Sequence, residues 1–364
     1  MSTVPRIHQF SVSTAEGDGV TNGMIYTHKL LRQLGFESEI YAKNIPSGLY
    51  GQVRSYADFK DSQCDLLLYH HSLGHEEESW LFNQHCPKAL IYHNITPAHH
   101  FAPDSLFHRY SLLGRQQLHD WKDKFCAVIG VSRLNSEELL EIGYSNVQTI
   151  PLLVDLDRLS GSFQKPAFIE HIKPEAPLLL ATGRLVENKR QHLLISALSY
   201  LLDLVEGPNK PHLVITGGIT SYDYTAALHQ YVHTLHLEQQ VHFIGKCADN
   251  ELRWLYRNAN QYWCASEHEG FCMPLIESSY FGLPAVAIAT SNIPDTLGEA
   301  GLILEDESPL AFACASHALL TDNELRKAVI DAGQRNLQRF SAERLLPQLS
   351  NWLAELGFMT KYAA

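Results

Sequence analysis

Glu269 and Glu277 enclose the run Gly270-Phe271-Cys272-Met273-Pro274-Leu275-Ile276. The strand-like segment Gln261-Tyr262-Trp263-Cys264-Ala265 precedes them and a helical pattern follows. Pro274 falls near the first helical position, where a missing N–H costs nothing. The chain therefore turns from strand to helix here, with the amides of Phe271, Cys272 and Met273 between two carboxylates. Carboxylates accept hydrogen bonds from hydroxyls, and a helix N-terminus favours the negative charge of a phosphate. A sugar carried on a phosphate suits both. Taken singly, either glutamate is also an ordinary acid at a helix start.

A second constellation is Thr182-Gly183-Arg184-Leu185-Val186-Glu187-Asn188-Lys189-Arg190, directly after the strand candidate Leu178–Thr182. Arg184 as a fork and Lys189 as a point charge suit a diphosphate. A solvated basic helix start is the plainer reading, but cations there oppose the helix dipole. Near the N-terminus, Glu16-Gly17-Asp18-Gly19 lies between a strand and a helix. Gly17 and Gly19 could let the backbone approach a phosphate or simply make a tight turn. A dinucleotide fingerprint is nearly present, but the second strand ends Ile40-Tyr41-Ala42-Lys43 without the acidic residue a dehydrogenase requires. His93 ends the strand run Ala89–His93, and Arg133 lies just after Ala127–Val131.

These residues sit at the ends of alternating elements. Strand runs at Arg6–Val12, Glu39–Ala42, Asp65–His70, Ala89–His93, Ala127–Val131 and Val147–Ile150 are interleaved with helical patterns at 21–34, 105–124 and 132–142. A second series begins at Leu178–Thr182, and the end of the chain is helical over about 308–320, 323–336 and 341–356. Pro151, Pro166, Pro174 and Pro177 fit a connection between the two series. The expected architecture is α/β: two Rossmann-like, doubly wound domains facing across a cleft. They occupy 1–155 and 177–336, with a linker at 156–176 and a last helical segment at 337–364. Ligands of such sheets bind beyond the C-terminal strand ends, where the candidate residues fall.

With 364 residues, 45% of them hydrophobic, the chain can bury two cores. A net charge of −12 argues against nucleic acid as the main partner. The seven cysteines are odd in number, scattered, and without a Cys-x-x-Cys pair, and they read as buried thiols in a reducing compartment. The pairs His70-His71 and His99-His100 would point to opposite sides of a strand, and no metal-binding spacing appears, so no metal is expected. The start, Met1-Ser-Thr-Val-Pro-Arg, is unlike a signal peptide, and no stretch reaches the ~20 apolar residues of a membrane span. A cytoplasmic protein with at most peripheral membrane contact is expected.

The order Glu269-Gly-Phe-Cys-Met-Pro-Leu-Ile-Glu277 resembles the "Glu, seven residues, Glu" signature of retaining glycosyltransferases of the GT-B fold, family four, group 1 type. Gly183-Arg184-Leu185 with Lys189 resembles the same enzymes' diphosphate element, and Asn292–Gly301 their Pro-containing donor loop, with Ser291-Asn292 in place of paired glycines. Gly217-Gly218 and Gly245-Lys246 stand where that family brings backbone close to the nucleotide. The resemblance implies catalytic roles for Glu269, Arg184, Lys189 and His93. Donor binding then falls to Gly17, Gly19, Arg133, Gly183, Gly217, Lys246, Gly270, Phe271, Cys272, Met273, Leu275 and Glu277. It further implies that the last helical segment, 337–364, crosses back to the first domain, and it implies hexose transfer with retention, from a GDP- or UDP-hexose, mannose among the sugars, to a glycan or lipid-linked glycan in polysaccharide or lipopolysaccharide assembly. The nucleotide sugar is a co-substrate, with no cofactor and no metal. A related sugar-nucleotide epimerase or phosphorylase, or a catalytically silent scaffold subunit, would share the fold.

Overall fold

The computed structural model describes residues 4–359; Met1–Thr3, on which the reading of the N-terminus partly rests, and 360–364 lie outside that range. Two compact units divide the described residues: 4–155 with 339–359, and 156–338.

The first unit is a seven-stranded sheet in the order β3-β2-β1-β4-β5-β6-β7. Its strands are β1 (Ile7–Ser13), β2 (Ile40–Asn44), β3 (Arg54–Ser55), β4 (Leu66–His71), β5 (Lys88–Tyr92), β6 (Ala127–Gly130) and β7 (Val147–Thr149). Every pairing is parallel. All six residues of β4 are buried, as a strand covered on both faces requires. Helices α1 (Gly19–Gln33), α2 (Glu78–Asn83), α3 (Leu106–Asp120) and α4 (Arg133–Ile142) connect the strands. Gly143, at φ 101°, closes α4 in the left-handed region. Phe10, Tyr69, Tyr92 and Trp121 fill one side of the core.

In the second unit, β8 (Leu178–Thr182), β9 (His212–Thr216), β10 (Val241–Gly245), β11 (Gln261–Cys264), β12 (Ala285–Ile288) and β13 (Gly301–Leu304) form a parallel sheet ordered β10-β9-β8-β11-β12-β13. The helices are α5 (Gln191–Leu204), α6 (Tyr222–Thr234), α7 (Asp249–Asn258), α8 (Met273–Tyr280), α9 (Ile293–Leu297), α10 (Pro309–Thr321) and α11 (Asn323–Leu337). The final helix, α12 (Ala342–Glu355), belongs to the first unit and buries Leu345, Leu349, Trp352 and Leu353.

Strand order reverses between β1 and β4 in one sheet and between β8 and β11 in the other. Both sheets are thus doubly wound, and each reversal opens a crevice where flanking loops diverge. Three elements escaped the sequence reading: β3, α2 and α9, of two, six and five residues. None is long enough to show a period. The Pro-rich stretch 156–176 is also more structured than a bare connection. It carries two 3-10 turns, and Ile169, Ile172 and Ala176 enter the core of the second unit.

Candidate active site

In the second unit, the loops after β8 and β11 flank the switch point and carry Lys189 and Glu269. The Lys189 ammonium donates a charge-assisted hydrogen bond to Glu269 Oε1, with the side chains only 18% and 14% exposed. Burial opposes both charges, but each group holds the other ionised. The Glu269 carboxyl lies below, and the Lys189 ammonium above, its ordinary value. Backbone bonds lock the two loops, since Glu267 N–H donates to Asn188 O at 2.8 Å.

Behind this pair the strand ends are built from glycine. Gly183 N–H donates to Thr216 O and Gly217 N–H to Gly245 O, each at 2.9 Å, and the three glycines lie at φ 146°, 151° and 64°. A Cβ on Gly217 would come within 1.9 Å of Gly183 O, whereas one on Gly218 meets nothing within 4 Å. We therefore expect Gly217→Ala to destabilise the second unit by about 1–3 kcal/mol or more. Gly218→Ala should stay within about 0.5 kcal/mol. Urea unfolding of the two variants checks both.

Glu277 lies one turn into α8 and is 6% exposed. Arg158, from the stretch read as a linker, donates to Glu277 Oε1, and Tyr256 O–H donates to Oε2 at 2.8 Å. Sequence reasoning missed both partners; nothing in the residues around Arg158 signals a contact 119 positions away. The side chains of Phe271, Met273 and Leu275 are buried at 6%, 7% and 0%, so only their backbone is placed to meet a ligand. Cys272 is the N-cap of α8 in the left-handed region. Arg184 and Lys246 are exposed, and Gly270 is half-buried. Ser291 Oγ donates to Glu267 O at 3.1 Å, and Asn292 Nδ2 to Thr296 Oγ1, which in turn donates to Phe271 O. Side chains at the positions of the paired glycines thus brace the Glu269 loop.

Gly17, Gly19, His93 and Arg133 belong to the first unit. Gly17 and Gly19 flank the start of α1, where the Asp18 carboxylate accepts from Thr21 N–H at 3.1 Å and caps the helix. Arg133 opens α4, is exposed, and lies 3.8 Å from Glu137. His93 is held from behind. Gln9 Nε2–H donates to Met24 O, leaving Gln9 Oε1 for His70 Nε2–H at 3.0 Å, and His70 Nδ1 then accepts from His93 Nε2–H at 2.8 Å. On the other face of β4, His71 and His75 both bond the Tyr69 hydroxyl. Adjacent His70 and His71 thus diverge, as a strand requires, whereas His99 and His100 lie in a 3-10 turn, Ala98–His100, with their ring centroids 4.1 Å apart.

Burial pushes these imidazoles down: His71 and His93 to about 3, His75 to about 4, and His70 well below its ordinary value. Unfolded, they take up protons as pH falls through 6.5, while the folded unit does not. Stability present above 6.5 is therefore lost progressively below it. Urea midpoints on either side of that pH should show the first unit weakening on acidification.

All seven cysteines are free thiols. Contrary to the reading as buried, Cys126 and Cys314 are exposed and Cys247 is intermediate.

The family model for glycosyl transferases group 1 matches residues 163–336, a segment that holds Arg184, Lys189, Glu269 and Glu277. Over 172 residues the chain is 28% identical to D-inositol 3-phosphate glycosyltransferase of Corynebacterium glutamicum (strain R), covering 46% of this chain and 41% of that one. Over 114 residues it is 27% identical to O-antigen chain mannosyltransferase B of Escherichia coli, covering 31% and 30%. The matches thus span less than half of these curated relatives. Among solved structures, Anabaena Alr3699/HepE in complex with UDP and glucose superposes with a TM-score of 0.77 at 17% identity, covering 96% of this chain and all of that one.

Proposed function

The chain is a GT-B protein whose residues 163–336 belong to the glycosyl transferases of group 1, and from that premise we propose that it moves a hexose from a nucleoside diphosphate sugar to a glycan acceptor, with retention at the anomeric carbon. The observation that carries the reading is the Lys189–Glu269 pair, held at the strand switch point beside the start of α8.

Charge builds on the diphosphate as the sugar departs. Arg184, Lys189 and the backbone at the start of α8 offset it, an electrostatic contribution made by groups already oriented. Lys189 has three N–H donors and spends one on Glu269, so it can still reach a phosphate oxygen. Glu269 accepts from sugar hydroxyls and orients the ring. Glu277 accepts one bond on each oxygen, from Arg158 and Tyr256, and a carboxylate has about four acceptor positions. The remainder suit ribose hydroxyls. His93, neutral at all physiological pH, serves as an orienting group rather than as a base. With two cations set for the diphosphate, transfer proceeds without metal or cofactor.

The Escherichia coli relative, a mannosyltransferase of the O-antigen chain, supports a mannose-type hexose and a lipopolysaccharide or polysaccharide acceptor. The Anabaena neighbour, holding UDP and glucose, supports a nucleotide-sugar donor. No helix among the described residues is long and apolar enough to cross a membrane, and we place any acceptor-side membrane contact at the periphery.

The test is thermal stabilisation by UDP, GDP, ADP and their hexoses, with chelator present, followed by transfer of labelled hexose. A ligand at 100 times its dissociation constant adds about 2.7 kcal/mol. A shift with one base, and transfer that persists in chelator, supports the reading. No shift with any nucleotide points instead to a silent scaffold.

A further inference from the structure

Beside Glu269 the fold assembles a group of ligands that the sequence spacing conceals. Cys264 ends β11 and Cys272 caps α8, and their Sγ atoms lie 3.9 Å apart. A Glu269 carboxylate oxygen completes the set, with all three ligand atoms within 4.8 Å of one another. The thiols are 5% and 7% exposed, whereas Glu269 still meets solvent. We propose that Cys264, Cys272 and Glu269 form a binding site for a thiophilic divalent cation of the zinc class.

The separation of the two sulfurs fits such an ion. Zinc–sulfur bonds of about 2.3 Å in a tetrahedral arrangement place two sulfurs about 3.8 Å apart, close to the observed separation. Three protein ligands with the fourth position open to water is a common zinc arrangement, and the solvent side of Glu269 supplies that opening. Charge also balances. Each thiol loses its proton to solvent as its sulfur–metal bond forms, giving two thiolates and one carboxylate. The divalent ion and the Lys189 ammonium together offset these three negative charges, so the buried site ends neutral.

Cys272 holds its place through an unusual backbone, φ 69° and ψ 66°, a conformation costly for a residue with a Cβ. Ser266 Oγ, 3.7 Å from Cys264 Sγ, adds a polar neighbour. On the functional reading above, an occupied site withdraws Glu269 from the sugar. The cation is then an inhibitor that competes with the donor, and metal-free transfer describes the empty site.

The experiment uses the full reduced chain, stripped with chelator and titrated with Co²⁺ and Zn²⁺. One equivalent of Co²⁺ should give the visible bands of a tetrahedral site together with thiolate charge-transfer absorption, and Zn²⁺ should bleach both. Cys264→Ser and Cys272→Ser should each weaken binding more than about tenfold, since even partners outside the ligand sphere contribute about 10–100-fold. Cys314→Ser, at an exposed thiol, should not.

X-ray absorption of the zinc-loaded wild-type chain should find two sulfurs per zinc and needs no variant to fold. Absence of tetrahedral bands at one equivalent, bands unchanged in Cys264→Ser, or fewer than two sulfurs around the zinc would overturn the proposal. Binding is read on the protein itself, so a chain that binds zinc but, once stripped of it, transfers no sugar refutes the transferase reading alone. A chain that transfers sugar but shows no tetrahedral bands refutes the site alone.

Discussion

Glu269→Gln is expected to lower hexose transfer by about 10²–10³-fold, the loss typical when one preorganised polar group leaves a reacting centre. The amide keeps the size of the carboxylate, so the loop between β11 and α8 should remain folded. What changes is the partner of Lys189. In the wild type, Glu269 holds the ammonium above its ordinary value against burial. Its stabilising contribution is full below the unfolded lysine value and is lost only as pH rises through the folded one. In the variant, burial acts without the carboxylate and pushes Lys189 below its ordinary value. The unfolded chain then binds the extra proton, and stability rises with pH where the wild type's is flat. Steady-state rates with urea midpoints from neutral to pH ~10 check both halves. A variant with full turnover would remove Glu269 from the mechanism, and unchanged alkaline behaviour would remove the ion pair.

Lys189→Met should act on the fold more than any other single change at the site. It strands the Glu269 carboxylate at 14% exposure without its counter-charge, and breaking a buried pair in this way costs about 3–5 kcal/mol. Glu269, now below its ordinary value because of Lys189, should move above it once burial is unopposed. The wild-type contribution of Glu269 is present above the unfolded carboxylate value and lost as pH falls through the folded one. In Lys189→Met the sign reverses, and acidification should recover stability over the carboxylate range. The double variant Lys189→Met/Glu269→Gln removes both charges and should regain much of the lost stability while remaining inactive. The coupling energy from this cycle measures the pair. A single variant as stable as the wild type would show that the two side chains do not share a buried bond.

Much of the scaffold was legible because its signals are local. Leu178–Thr182 and His212–Thr216 form the strands their apolar runs mark, and Gly143 ends α4 where its freedom at positive φ predicts. Elements too short for a period were not legible: α9 and β3 owe their form to neighbours. The candidate site divides the same way. Glu269, Glu277 and the start of α8 are contiguous in sequence, and their turn chemistry names them. Arg158 bonds Glu277 from 119 residues away, within a stretch whose prolines suggested only a tether. Gly17 and Gly19 read equally as a phosphate cradle or a tight turn, and only the fold shows that the Asp18 carboxylate between them caps α1 through Thr21 N–H.

Alternation of apolar runs with helical periods, punctuated by proline and glycine, is enough to specify two doubly wound sheets and to set reactive side chains just beyond strand ends, because each of these features depends on a few neighbouring residues. Which of those side chains meet was decided in three dimensions. Lys189 and Glu269 are 80 positions apart and touch because β8 and β11 lie side by side at the reversal of strand order. Cys264 and Cys272 approach because the chain folds back on itself through a left-handed residue. Ionisation follows from that assembly: a carboxylate, an ammonium and four imidazoles depart from their ordinary values only where folding removes water and supplies a partner.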